Sequence, residues 1–131
     1  MFLDASALTA ILADEHDGPA LAARISGAES RMTSPMALWE TVVAVSRTLD
    51  LPVHEALATV RAFLALAEVQ VVAVPPEAAE IAVDAFERYG KGRHPAALNF
   101  GDCFAYACAR CYRQPLLYKG DDFARTDVEA A

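Results

Sequence analysis

At 131 residues, 55% apolar and 22% charged, the chain has the length and composition of one globular domain, residues 1–131, able to bury a core without disulfide or metal staples. No stretch approaches the ~18 uninterrupted apolar residues of a membrane helix, and three cysteines, with Asp4 where a secretory leader carries basic residues, point to a reduced, cytosolic protein. The net charge of −7 excludes casual nucleic-acid binding through a basic surface, so such a role needs a local basic strip or bound cations.

Met1-Phe2-Leu3 is a short apolar run ending at Asp4, and helix formers follow over Ala5–Leu12 with Ser6 as a candidate cap, which predicts strand, turn, helix. Asp4 then stands at the carboxyl end of the first strand, where open α/β sheets place ligands. Helix capping alone would also account for it. The breakers Asp14-Glu15-His16-Asp17-Gly18-Pro19 separate this unit from a short helix over Ala20–Ser26 that Gly27 ends. Arg31–Ser34 predicts a second strand, and Ser34-Pro35 launches a helix to about Leu49, with Leu38, Val42, Val45 and Leu49 on one stripe. Glu40 is the odd residue of this helix, because Met36, Ala37, Val43 and Ala44, its neighbours one turn away, are apolar. A carboxylate there is costly unless it meets a cation or donors, or reaches water at the edge of the stripe.

Asp50-Leu51-Pro52 breaks the chain before a helix over Val53–Ala67 that buries Leu57, Val60, Phe63, Leu64 and Ala67. Glu68–Val74, β-branched and mostly apolar, predicts a parallel strand buried on both faces. Pro75-Pro76 then opens a helix over Glu77–Tyr89 that buries Ile81, Ala82, Ala85 and Phe86. Gly90-Lys91-Gly92-Arg93-His94-Pro95 is a basic, glycine-rich connector without the spacing of a Walker phosphate loop. Asn99 caps a helix running to about Arg113, and Asp102 falls near its third position, where the helix dipole favours a carboxylate. Leu116-Leu117-Tyr118 forms a last short strand finishing at Gly120-Asp121-Asp122-Phe123, and the tail from Thr126 adds a small edge strand or frays.

Four acids therefore fall at strand ends (Asp4, and Asp121 or Asp122) or near helix starts (Glu40, Asp102) of an alternating αβ chain. In a parallel sheet those positions share one rim, so the four can face one pocket. Converging carboxylates repel one another, and the natural remedy is a hard, oxygen-bound cation, Mg²⁺ or Mn²⁺. Cys103, Cys108 and Cys111 have the C-x₄-C-x₂-C spacing of a plant-type iron–sulfur protein, but a fourth cysteine is missing and the three lie within a predicted helix. His16, His54 and His94 have no paired spacing for zinc, Ser6 stands where an Asp-x-Asp phosphatase has its second acid, and no Gly-x-Ser-x-Gly elbow occurs.

Taken in order, Phe2-Leu3-Asp4-Ala5-Ser6-Ala7-Leu8, Ser34-Pro35-Met36-Ala37-Leu38-Trp39-Glu40, Leu98-Asn99-Phe100-Gly101-Asp102-Cys103 and Leu116-Leu117-Tyr118-Lys119-Gly120-Asp121-Asp122-Phe123 resemble the PIN-domain ribonucleases. Within that family they are similar to the VapC toxins of VapBC toxin–antitoxin pairs, and Tyr89–Asn99 looks like a subgroup of these. The resemblance spans nearly the whole chain and implies a three-layer α/β/α domain with a mainly parallel sheet flanked by helices. It implies that Asp4, Glu40 and Asp102 are metal-site acids and that Ser6 hydrogen-bonds within the site. The family often writes the last segment Thr-x-Asp-x-Asp-Phe, and Gly120 stands three before Phe123, so Asp122 is the better match and Asp121 the reserve.

The activity implied is Mg²⁺-dependent cleavage of RNA phosphodiester bonds, with tRNA a candidate substrate, and the partners implied are a VapB-type antitoxin and a second copy of the chain. Arg88, Lys91, Arg93, Arg110, Arg113 and Lys119 offer an RNA strip, Lys91, Arg93 and Lys119 foremost, although ordinary solvation would place such residues equally well. Apolar ridges on the helical pair from Pro35 to Ala67 suit a homodimer or an antitoxin segment. The rival functions are a non-catalytic binding module of the same fold and a DNase or phosphatase on the same acids.

Overall fold

The computed structural model describes residues 1–131. The order is β1 (Phe2–Leu3), α1 (Ala5–Leu12), α2 (Gly18–Gly27), β2 (Met32–Thr33), α3 (Pro35–Thr48), α4 (Val53–Leu66), β3 (Gln70–Val71), α5 (Ala78–Tyr89), α6 (Phe100–Cys111) and β4 (Leu116–Leu117), then a 3₁₀ turn over Phe123–Arg125. The four strands form one parallel sheet in the order β3-β2-β1-β4, with Phe2 opposite Met32 and Leu116 and with Leu3 opposite Leu117.

Helices cover both faces, because a parallel sheet has no polar face to offer water. Side chains alternate across the pleat, so Phe2 and Leu116 enter one core with α5 and α6, while Leu3 and Leu117 enter the other with α1 to α4. All four are fully buried, which stabilises the sheet centre by about 1.5–3 kcal/mol per side chain. The result is the three-layer α/β/α arrangement that the family resemblance implies.

Helix starts follow the local signals. Ser34 caps α3 by accepting the Ala37 amide at 3.1 Å, with Pro35 at the first helical position. At α1 the cap is Asp4 and not Ser6, whose amide donates to the Asp4 carboxylate at 2.9 Å. Helix stops need the left-handed conformation, taken just past α1, α3, α4 and α6 by Asp14, Asp50, Glu68 and Arg113 in place of glycine.

The sheet corrects three expectations. The strand expected over Glu68–Val74 narrows to Gln70–Val71, both exposed, because β3 is the edge strand and pairs with β2 alone. Phe86 is 43% exposed and Leu49 41%, since the buried stripes of α5 and α3 are carried by Ala78, Ala82 and Ala85 and by Ala37, Thr41, Val42 and Val45. Asp121 and Asp122 do not end a strand: β4 stops at Leu117, and Asp122 immediately precedes the 3₁₀ turn.

The tail adds a parallel bridge from Ala130 to Leu116, with the Leu116 amide donating to the Glu129 carbonyl at 2.8 Å, and so covers the open edge of β4. Asp127 pins it by accepting the Tyr106 hydroxyl at 2.8 Å and an Arg88 guanidinium N–H at 3.0 Å.

Candidate functional site

β1 delivers Asp4 to the carboxyl rim of the sheet, where its amide still donates to the Leu117 carbonyl at 2.9 Å. Asp4 is only 3% exposed, and its carboxylate accepts both the amide and the hydroxyl of Ser6. Ser6 Oγ in turn accepts the Lys119 amide at 3.0 Å, which laces the start of α1 to the segment after β4. Burial raises the Asp4 pKa, and the bonds from Ser6 and Ala5 only oppose that rise.

Asp102 enters from α6. Asn99 Oδ1 accepts the Asp102 amide at 3.0 Å while the Asp102 carboxylate accepts the Asn99 amide at 2.9 Å, a reciprocal capping box. Capping by itself lowers a carboxyl pKa. Burial overrides it, and with the charges of Asp4 and Asp122 lifts Asp102 to about 6.

Glu40 arrives from the second turn of α3, half-buried, with its carboxylate lying against the backbone of Gly101. A Cβ at position 101 would sit 2.0 Å from Glu40 Oε1, so the carboxylate keeps this place only beside glycine. Burial, then the charge of Asp4, then that of Asp102, push Glu40 up to about 7.

Asp4, Glu40 and Asp102 are thus electrostatic neighbours at one rim, and Asp122, exposed before the 3₁₀ turn, reaches the group through Asp102. Asp121 is exposed and perturbs none of the three. No three His, Cys, Asp or Glu side chains close tightly enough to form a ready metal cage. The donor set still fits a hard divalent cation: its donors are all oxygen, it is partly buried and it is short of positive charge, and Mg²⁺ keeps several waters while using one or two carboxylates.

The cysteines take no part in such a site. Cys103 and Cys108 are buried on α6, and burial pushes each thiol up to about 11.

Four of the six basic residues of the candidate strip are ion-paired. Lys119 pairs with Glu15, Arg93 with Glu87 at 2.9 Å, and Arg88 and Arg110 share Asp127. Lys91 and Arg113 are exposed and enter no ion pair.

Gly101 was not singled out by sequence reasoning. The signal was available, because a glycine inside a first helical turn costs up to about 1 kcal/mol against alanine and no turn or cap at that position explains it.

The PIN domain family model matches residues 1–129. Ribonuclease VapC of Mycolicibacterium smegmatis is 42% identical over 99% of this chain and 98% of its own length. Ribonuclease VapC30 of Mycobacterium tuberculosis is 40% identical over 98% of this chain and 95% of its own. Among solved structures, the sarcin-ricin loop cleaving toxin VapC20 of Mycobacterium tuberculosis superposes with a TM-score of 0.77 over 99% of this chain and 97% of that one, at 20% identity, a likeness of fold. With matches of this extent, the chain belongs to the PIN-domain family and stands among its VapC ribonucleases.

Proposed function

We propose that this chain is the toxin of a VapBC toxin–antitoxin pair and acts as a Mg²⁺-dependent endoribonuclease, with Mn²⁺ able to replace Mg²⁺. The observation that carries this reading is the trio of Asp4, Glu40 and Asp102 at the sheet rim, each holding its proton more tightly than an ordinary carboxyl. The names of the relatives favour RNA as the substrate class.

Asp4 and Asp102 are the residues suited to hold the cation, with Glu40 and Asp122 completing the anionic wall. When bound, the ion would lower the pKa of a water and neutralise the scissile phosphate. The protein supplies placement. Ser6 fixes one oxygen of Asp4, and the capping box fixes one oxygen of Asp102, so neither carboxylate turns freely. Glu40, half-buried beside Asp4 and Asp102, is the group suited to take a proton from the attacking water at its carboxylate oxygen.

A VapB-type antitoxin and a second copy of the chain are the protein partners this reading implies. A wide groove lined by Ala79, Ala82, Val83, Phe86, Phe100, Cys103 and Phe104, wholly apolar, suits such a partner. The helical pair expected to do so exposes Leu49, Val53 and Leu66. tRNA is the first substrate to try.

Purified chain free of antitoxin is expected to cut cellular RNA in Mg²⁺ and to stop in chelator, with single-stranded DNA as the parallel arm. Asp102→Asn should abolish cleavage while its far-UV spectrum stays unchanged. Absence of cleavage of any RNA in either Mg²⁺ or Mn²⁺ would overturn the enzyme reading.

A further inference from the structure

Beside the acids lies a second, smaller cleft of about 290 Å³, lined by Pro35, Met36, Trp39, Glu40 and Phe100. Its two rings are unusually bare, with Trp39 66% and Phe100 71% exposed. Trp39 packs against no other ring, while Phe100 leans on Phe104 at 4.9 Å between centroids. Glu40 belongs both to this cleft and to the acid cluster, so whatever fills the cleft touches the rim where Asp4 and Asp102 stand.

Resting on the ribonuclease reading above, we propose that the Trp39–Phe100 cleft is a stacking site for one unpaired nucleobase of the RNA, next to the phosphate held at the acids. Three observations converge on a base rather than a protein side chain. The cleft is continuous with the acid rim, so a strand whose phosphate lies at the acids has its neighbouring base within reach. Its lining pairs aromatic faces with the Glu40 carboxylate, the combination that single-stranded RNA recognition uses, whereas the wide groove on the far side of Phe100 is lined by apolar side chains alone. The electrostatic route to RNA through the candidate strip is also weak. The net charge is −7, and of the six basic residues in the candidate strip four are held by Glu15, Glu87 or Asp127. Stacking provides affinity without needing free cations and tolerates any base, because every base has a π face. Trp39 and Phe100 are therefore substrate-positioning residues that set where the strand lies.

Trp39 is the only tryptophan, so its fluorescence reports on the cleft alone. The full chain is titrated with a short single-stranded oligoribonucleotide, Ca²⁺ replacing Mg²⁺, and with a matched oligomer of abasic sugar–phosphate units. Saturable quenching by the first and none by the second is expected. Affinity read from the anisotropy of a fluorescein-labelled oligoribonucleotide should weaken about 5- to 150-fold in Trp39→Leu and return in Trp39→Phe. Leucine keeps the apolar surface and loses only the stacking face, and both variants lie at an exposed position that the fold does not need.

The proposal fails if RNA binds with wild-type affinity to Trp39→Leu, and the ribonuclease reading survives that result. It fails too if Trp39→Leu turns a dimer into a monomer by light scattering while RNA leaves the tryptophan signal untouched, for then a second copy fills the cleft. A chain that neither binds nor cuts any RNA sinks both.

Discussion

Replacing Gly101 with alanine tests whether Glu40 has to stand where it does. An ideal Cβ there falls 2.0 Å from Glu40 Oε1 and 2.5 Å from its Cδ and Oε2, while ordinary contact begins at 3.4 Å. The carboxylate must therefore withdraw by about 1.4 Å, the difference between 3.4 and 2.0 Å. The withdrawal itself is cheap, because the clashing atoms are the end of a flexible side chain and not backbone. Alanine is also the better helix former by up to about 1 kcal/mol, so Gly101→Ala is expected to unfold at the wild-type temperature or up to roughly 4 °C above it. Activity answers to different physics. A misplacement of ~1 Å at a reacting centre costs about 10²-fold, or about 2.7 kcal/mol of barrier. Initial rates of RNA cleavage over a Mg²⁺ titration, set beside thermal unfolding, should separate the two effects. Shortening the acid in the same variant, Gly101→Ala with Glu40→Asp, draws the carboxylate back by one bond of about 1.5 Å and should recover part of the loss. Wild-type rates in Gly101→Ala at every Mg²⁺ concentration, or a variant that fails to fold, would refute the reasoning.

The remaining predictions follow from the charges. In the metal-free chain Glu40 and Asp102 hold protons up to about 7 and about 6, above their ordinary 4.5 and 3.8, so their contribution to stability is full below those ordinary values and is lost as pH rises through 6 and 7. Mg²⁺ should accordingly raise the unfolding midpoint clearly at pH 8 and hardly at pH 5, and equal shifts at both would count against a cation at these acids. Asp127 behaves oppositely. Burial pushes it up, but hydrogen bonds from Tyr106 and Arg88 prevail and pull it down to about 2, so its contribution is present above its ordinary 3.8 and is lost as pH falls through about 2. Because that side chain is 44% exposed, Asp127→Ala should cost only about 1 kcal/mol, or roughly 4 °C in a thermal melt, with cleavage intact at 25 °C. Asp122→Asn should slow cleavage more than Asp121→Asn, since only Asp122 perturbs Asp102; the reverse order in parallel rate measurements would reassign the fourth acid.

What the sequence made legible is what a few neighbouring residues settle among themselves. Ser34-Pro35 and Asn99-x-x-Asp102 start helices where expected, and the fully buried strands β1 and β4 lie where short apolar runs meet an acid or a proline. What it hid depends on partners far along the chain. Val71 looks like the middle of a strand until the sheet order puts β3 at the edge and leaves it 46% exposed. Phe86 looks like core until alanines take the α5–α6 contact and leave its ring in the wide groove. Gly101 matters only because Glu40, sixty-one positions earlier, occupies the space its side chain would fill.

The same distinction bears on how the acids are to be understood. Capping and site formation first look like rival accounts of Asp4 and Asp102, yet the structure has both acids capping: Asp4 takes the Ser6 amide at α1, and Asp102 takes the Asn99 amide at α6. In a parallel sheet the helices begin at the carboxyl rim, so acids that cap α1 on one face and α6 on the other are carried toward one rim by the fold itself. Magnitude then decides what they are for. Capping alone would lower both pKa values, whereas both are raised, because burial, joined at Asp102 by the charges of Asp4 and Asp122, outweighs the donors that each cap supplies. The rim is therefore left short of positive charge after every local hydrogen bond has been made. At low pH a proton supplies it; near neutrality a cation would have to, and that is why Mg²⁺ should stabilise the chain at pH 8 and not at pH 5.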